Sequence, residues 1–272
     1  MAELTAYICT TCGVQQPPSA QPPAHCPICE DERQYVNAAG QSWTTPDELR
    51  ASRNIDWREL EPGLFGMGAT PQIAIGQRAL IVPQAGGGVM WDCIPLVSGD
   101  TVNHVKSTGG LRAIAISHPH FFAASVDWSE SLDNTPIYLH EDLRPYVQRP
   151  SVNIHFWSGE THGLGQGITL IRCGGHFRGS TAMHWAAGAG GKGALFTSDT
   201  IMVAADTRWM SFMRSFPNYI PLNRAAVERI VAAVEPYPFD RVYSAWWKQV
   251  SQQDSKERLK ASAARYILAI SD

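Results

Sequence analysis

The sequence has no apolar run long enough to cross a bilayer, and its first residues, MAELTAYICTTCG, lack the basic and apolar stretches of a leader. A cytoplasmic protein without a membrane partner is therefore expected. Charge is sparse and nearly balanced: 17% of residues are charged, and the formal net charge is −3. That excludes a broad electrostatic attraction to nucleic acid or anionic lipid. There is no GxSxG, no HExxH and no dinucleotide-binding fingerprint, so nucleophilic serine chemistry and nicotinamide or flavin chemistry have no motif to stand on. GAGGKG (188–193) fails as a phosphate loop, because Gly193 follows Lys192 where Ser or Thr is required, and reads as a hairpin turn. No internal repeat is evident. What remains is an ordinary globular composition, 44% hydrophobic over 272 residues, enough for one large domain or a main domain with a small appendage.

Cysteine is used in a pattern. Four of the six form two CxxC pairs, Cys9/Cys12 and Cys26/Cys29, with thirteen residues between the pairs. In a reducing compartment this spacing reads as a metal site rather than a disulfide framework. Four thiolates suit a closed tetrahedral structural zinc site, and iron accepts the same ligands. The intervening QQPPSAQPPA cannot build a core, so the metal is expected to hold residues 1–40 together as a small module resembling a zinc ribbon or a rubredoxin-like knuckle. This segment sets Arg33 alone against Glu3, Glu30, Asp31 and Glu32, which argues against nucleic acid as its partner. Cys93 and Cys173 lie in apolar stretches and read as buried small hydrophobes.

From residue 41 to 272 a second domain is expected. IAIGQRALIVPQ and VMWDCIPLV read as strands around an Ala85–Gly88 turn, and LRAIAIS (111–117), TPIYLH, ITLIRCGGHF, STAMHWAA, GALFTSD and FDRVYSAWW as further strands. EDLRPYV suggests a short helix. Asn223 is placed to cap a helix carrying Val227, Ile230, Val231 and Val234, and Asp254 or Ser255 to cap one carrying Leu259, Ala263, Tyr266 and Ile267. Hairpins first and helices between later strands imply mixed sheets covered by helices, an α/β (α+β) fold.

Four candidate ligands follow strand-like runs: His118 and His120 in ISHPHFF, His176 in CGGHFRGS and Asp199 in LFTSDT. Three imidazoles and a carboxylate suit zinc, with iron(II) second. In this order and setting, residues 60 to 250 resemble the metallo-β-lactamase-fold hydrolases. The resemblance implies a four-layer αββα sandwich. It also implies that His118, His120 and His176 are the first metal's ligands, that Asp199 is the residue that bridges two metals in the family, and that Asp92 in VMWDC supports the ligands from behind. The family's HxHxDH motif, however, ends here in Phe122 and Ala123, and the histidine expected after FDRVY is replaced by Ser244-Ala245-Trp246-Trp247.

The expectation is therefore a one-metal hydrolase. Asp199 either completes the coordination or orients and deprotonates the water, and the target is the carbonyl of a small-molecule ester, thioester, lactone or amide. The alternatives are a non-catalytic protein that keeps the fold and binds a metal or a partner, and a redox role for iron in the four-cysteine site. Phe122, Trp209 and Trp246 are candidate pocket walls. The cluster Trp209, Met210, Phe212, Met213 and Phe216 fits either a substrate pocket or packing against the N-terminal module. His140 is expected to cap a helix, and His184 to be a packed strand histidine.

Overall fold

The structure, a computed structural model, describes residues 4–271; Glu3, counted among the acidic residues above, lies outside them. The chain forms two compact units. One runs to Leu139 and includes Arg144–Phe156, and the other comprises His140–Leu143 and the chain from Trp157 onward.

The first unit is built on a seven-stranded sheet whose strands follow chain order: Asn54–Glu61, Leu64–Thr70, Arg78–Val82, Gly88–Trp91, Leu111–Ala115, Ile137–His140 and Ile154–Trp157. The first four pair antiparallel through short turns. Gly88–Trp91, Leu111–Ala115 and Ile137–His140 then pair parallel. Parallel neighbours need a crossover, and the helices Gly99–Ser107 and Ser125–Ser131 lie in the two connections. Arg78–Val82 and Gly88–Trp91 are buried at every position.

The hairpin of Asn54–Glu61 with Leu64–Thr70 is absent from the sequence reading above, although Pro62-Gly63 closes it with Gly63 at φ +78. So is the helix Pro46–Ser52. Its capping box is explicit in TTPDELR: Glu48 N–H donates to Thr45 Oγ1 at 3.1 Å, and Thr45 N–H donates to Glu48 Oε2 at 3.0 Å. The N-terminal segment joins this unit by the short pairing of Ile8–Cys9 with Trp43–Thr44, and Ile8 packs with Leu49 and Leu96.

The second unit carries a six-stranded sheet in the order Thr161–Gly165, Ile168–Arg172, Thr181–Trp185, Ala194–Phe196, Arg241–Tyr243 and Val250–Ser251. Only Ala194–Phe196 and Arg241–Tyr243 pair parallel, and the helix Arg224–Val234 lies in their crossover. Val227, Ile230 and Val234 of that helix form one core with Leu259 and Ala263 of the helix Ser255–Ala269 and with Ile171, Leu195 and Val242 of the sheet. Met210 and Phe212 of the aromatic cluster are buried in the same core.

Two local expectations are corrected. The strand read from FDRVYSAWW stops at Tyr243, because Ser244 N–H turns back to Gln249 O at 3.0 Å. Asp254 precedes the last helix but caps nothing. Its backbone is left-handed, φ 53, whereas a capping side chain needs an extended residue beneath it. Ser255 Oγ instead donates to Ser251 O at 3.0 Å. Among the described residues no helix is long and apolar enough to cross a membrane.

Asn223 does cap its helix, accepting from Ala226 N–H at 2.9 Å. Asn223→Ala should cost about 1 kcal/mol and lower Tm by roughly 2–4 °C, measured by calorimetry. His184 offers a pH test. Burial pushes its imidazole below the ordinary range, and its Nε2 donates to Pro238 O at 2.7 Å. The unfolded chain binds that proton more readily, so this contribution is complete above about pH 6.5 and is lost as pH falls below it. His184→Gln should flatten the decline in chemical-denaturation stability between about pH 7 and 5.

Candidate metal centres

The four paired cysteines are buried, and their sulfurs all lie within 4.8 Å of one another. Cys9 and Cys29 Sγ stand 3.6 Å apart, as do Cys12 and Cys26 Sγ. A zinc–sulfur bond of about 2.3 Å gives tetrahedral S···S edges of about 3.8 Å, so the cluster fits a tetrahedral ion. All four are free thiols. Burial pushes the Cys12 thiol up, and a cation among the sulfurs would favour the thiolate form of the cluster.

The first CxxC turn closes with Gly13 N–H donating to Cys9 O at 2.8 Å. Gly13 has φ +80, and a Cβ there would stand 3.0 Å from the Ala74 side chain and 3.1 Å from that of Pro95. Only glycine meets both conditions. The second pair sits on the turn Pro27–Glu30, where Cys29 N–H donates to Cys26 O at 3.0 Å.

The second group is His118, His120, His176 and Asp199, whose donor atoms also lie within 4.8 Å of one another. Side chains of this polarity are rarely this buried, at 0%, 2%, 1% and 5% exposure respectively. His118 is extended, and the 3-10 turn Pro119–Phe121 follows it, bringing the two rings to a centroid distance of 5.0 Å at 72°. Ser117 Oγ lies 2.9 Å from His118 Nδ1. Asp92, left-handed at φ 58, accepts Ser117 N–H on Oδ1 at 2.8 Å and so braces the backbone one residue before His118.

His176 follows Gly174 and Gly175, with φ +70 and +77, and a Cβ on Gly175 would come within 2.6 Å of Ile230. Its Nδ1 donates to Met213 O at 3.0 Å, which leaves Nε2 as the lone-pair nitrogen. That Nε2 stands 3.8 Å from Asp199 Oδ2. Asp199 leaves the strand Ala194–Phe196 through Ser198, which is left-handed at φ 49. Neutral imidazole nitrogens and a carboxylate are a borderline-soft donor set that suits a zinc-like ion.

Phe122, Ala123 and Ser244, the positions at which the resemblance would put further ligands, are engaged otherwise. Ala123 O accepts Gln15 N–H at 3.1 Å, and Phe122 and Ala123 line a cavity of about 20 Å³ with Val14, Gln15, Val126 and Arg149. Ser244 Oγ accepts Val203 N–H at 2.8 Å and donates to Ile201 O at 3.2 Å. Trp246 is half-buried, and Trp209 lies under the Arg265 guanidinium, 4.3 Å from its centroid. The anchoring of His176 by Met213 O escaped the sequence reading, because a main-chain acceptor 37 residues away leaves no mark in composition.

The other histidines stand outside both groups. His140 Nδ1 accepts Asp142 N–H at 3.2 Å and caps the 3-10 turn Glu141–Tyr146, while its Nε2 donates to Gly159 O at 3.1 Å. His25 pairs with Glu30 at the surface at 2.8 Å.

No protein-family model matches the chain. Solved structures place its fold. VMB-1 superposes with a TM-score of 0.61 at 14% identity, over 81% of this chain and 100% of that one. The metallo-β-lactamase FIM-1 from Pseudomonas aeruginosa in its mono-zinc form superposes with 0.58 at 12% identity, over 79% and 96%. The metallo-β-lactamase from Hirschia baltica gives 0.56 at 18% identity, over 78% and 97%. The protein therefore has the metallo-β-lactamase fold, carrying a His-His-His-Asp cluster and a separate four-cysteine cluster. Within that fold it belongs to one family with "Uncharacterized protein YmaE" of Bacillus subtilis (strain 168), which is 46% identical over 266 residues, 97% of this chain and 96% of that one.

Replacing one thiolate should release the ion from the cysteine cluster. Cys26→Ser is expected to lower zinc content by about one per chain and to open residues 1–40 to limited proteolysis. Unchanged metal content together with unchanged cleavage would refute a metal role for these cysteines.

Proposed function

We propose that the protein is a hydrolase that uses one zinc ion, held by His118, His120 and His176 with Asp199 beside it. The observation that carries this reading is selective replacement. One complete ligand set is buried and convergent. The second ion's expected positions, Phe122, Ala123 and Ser244, are given to apolar or main-chain contacts. The mono-zinc form of FIM-1 is a precedent for a single ion on this fold.

When bound, zinc supplies Lewis acidity at an open coordination position and brings the pKa of water there to about 7. Asp199 accepts the proton of the attacking water and orients it toward a carbonyl carbon. His176 is held in one tautomer by Met213 O, and His118 is steadied by Ser117. Phe216, 6.3 Å from the His176 ring, offers an aromatic wall to the acyl group. Esters, thioesters, lactones and amides are the substrate classes. A phosphoester is disfavoured, since a single ion cannot clamp both the attacking and the leaving oxygen.

In the same reading the four-cysteine group of residues 1–40 holds a structural zinc, and residues 41–272 form the hydrolase domain. Free thiols suit the cytoplasm, and the acidic N-terminal segment does not suit nucleic acid.

His120→Ala should lose about one zinc per chain and all turnover. Asp199→Asn should retain most of the metal, because three imidazoles remain. It should still lose about 10²-fold or more in rate, because an amide is a poor base. Elemental analysis and a screen of esters, thioesters and lactones check both. Absence of turnover on every class would leave a non-catalytic metal- or partner-binding protein instead.

A further inference from the structure

Three residues beyond the first CxxC pair, the chain touches the loop that ends the His118–His120 turn. Gln15 is 2% exposed and lies in an antiparallel bridge opposite Ile8, directly beside Cys9. Cys9 N–H donates to Val14 O at 3.1 Å, so the position of Gln15 follows from that of the Cys9–Cys12 turn. Its own N–H donates to Ala123 O at 3.1 Å. Ala123 is the third residue after His120 and stands in the left-handed region at φ 43, where a non-glycine residue costs about 1–3 kcal/mol. A residue so placed needs an outside hold, and the Gln15 bond is at its carbonyl.

The Gln15 side chain is fixed in turn. Its Nε2 donates to Asp127 Oδ2 at 2.7 Å, and Arg149 Nη1 donates to Gln15 Oε1. Arg149 also pairs with Asp127 at 2.5 Å and reaches Glu130 at 3.6 Å. The side chains of Arg149 and Asp127 are 15% and 25% exposed, so solvent screens this pair less than an open one. Asp127 belongs to the helix Ser125–Ser131, which begins two residues beyond Ala123. Gln15 therefore ties three parts of the chain together: its main chain joins the cysteine turn to the end of the ligand turn, and its side chain joins both to the following helix. None of these groups is itself a ligand.

We propose that Gln15 is a positioning residue for the histidine site. It holds Ala123, and with it the His118–His120 turn, in the ligating geometry, and so couples occupancy of the four-cysteine site to metal affinity at the histidines. This rests on the reading that His118 and His120 hold a metal. Loss of the ion from the four cysteines releases Val14 and Gln15, frees Ala123 to leave its strained conformation, and moves His120 away from its partner ligands. The four-cysteine segment then acts as a latch on the second ion through protein contacts alone.

The test is zinc competition against a chromophoric chelator, using the full chain loaded with zinc, with His120→Ala and Cys26→Ser assigning the two sites. Gln15→Ala keeps the main-chain bond to Ala123 but removes the side-chain bonds to Asp127 and Arg149 that fix Gln15 in place. It should leave the zinc of the four-cysteine site bound and weaken the histidine-site zinc about tenfold, the equivalent of about 1.4 kcal/mol for a lost buried contact. Cys26→Ser should weaken it at least as much. Asp127→Asn keeps the side-chain shape and an acceptor for Gln15 but removes the charge facing Arg149. It should weaken the histidine-site zinc two- to threefold, and it serves if Gln15→Ala does not fold. Amide exchange at residues 119–125 should rise in step with the loss of affinity. Histidine-site affinity within twofold of wild type in Gln15→Ala, or in Asp127→Asn and Cys26→Ser where that variant does not fold, overturns the positioning role. If wild type and His120→Ala carry the same zinc content, the metal reading itself falls and takes the coupling with it.

Discussion

Eight side chains of metal-ligating type, gathered in two tight buried groups, set the constraint that the rest of the structure answers to. Buried groups that can carry charge need a counter-ion or hydrogen bonds to offset lost hydration, and imidazoles that face one another must be kept from collapsing onto other partners. The backbone does much of this holding through turns that ordinary residues avoid. Asp92, Ala123 and Ser198 are left-handed without being glycine, and each adjoins or braces a ligand. Such conformations persist only where surrounding bonds determine them. Here those bonds are Asp92 to Ser117, Gln15 to Ala123, and Thr197 N–H to Tyr243 O at 3.0 Å.

The same constraint explains how the N-terminal segment is ordered. Apart from its cysteines, Ile8, Val14 and Ile28 are its buried hydrophobic side chains, too few to offset the entropy of fixing a proline-rich chain. The shared core of Ile8 with Leu49 and Leu96 adds to this, and four sulfurs placed to hold one ion would supply the rest. VMB-1 is covered completely by this chain, yet about a fifth of this chain has no counterpart in it. The YmaE alignment, by contrast, spans 97% of the chain.

Phe122 and Ala123 are likewise engaged by the N-terminal segment. Ala123 cannot ligate a metal, but its carbonyl is the acceptor for Gln15, and Phe122 fills space beside Val14. On Ser244, a hydroxyl bridges two main-chain groups that an imidazole in the same place would have to displace. These residues serve as contacts in their own right.

The two CxxC pairs, the HxH after an apolar run, the glycine-flanked His176 and the strand-end Asp199 were all legible in the sequence, because ligand chemistry demands particular residue types at short spacings. The helix at Asn223 was legible too, since its cap and its 3.6-residue stripe are local. The hairpin of Asn54–Glu61 with Leu64–Thr70 was not, because its strands are only partly buried and their alternation is weak. The failed cap at Asp254 turned on one backbone angle that no residue type dictates. What only the tertiary structure decided is which distant groups meet: Met213 O on His176, Asp92 on Ser117, and Gln15 on Ala123. These contacts join chain segments through main-chain atoms, which every residue carries alike, so nothing in the order of side chains records them.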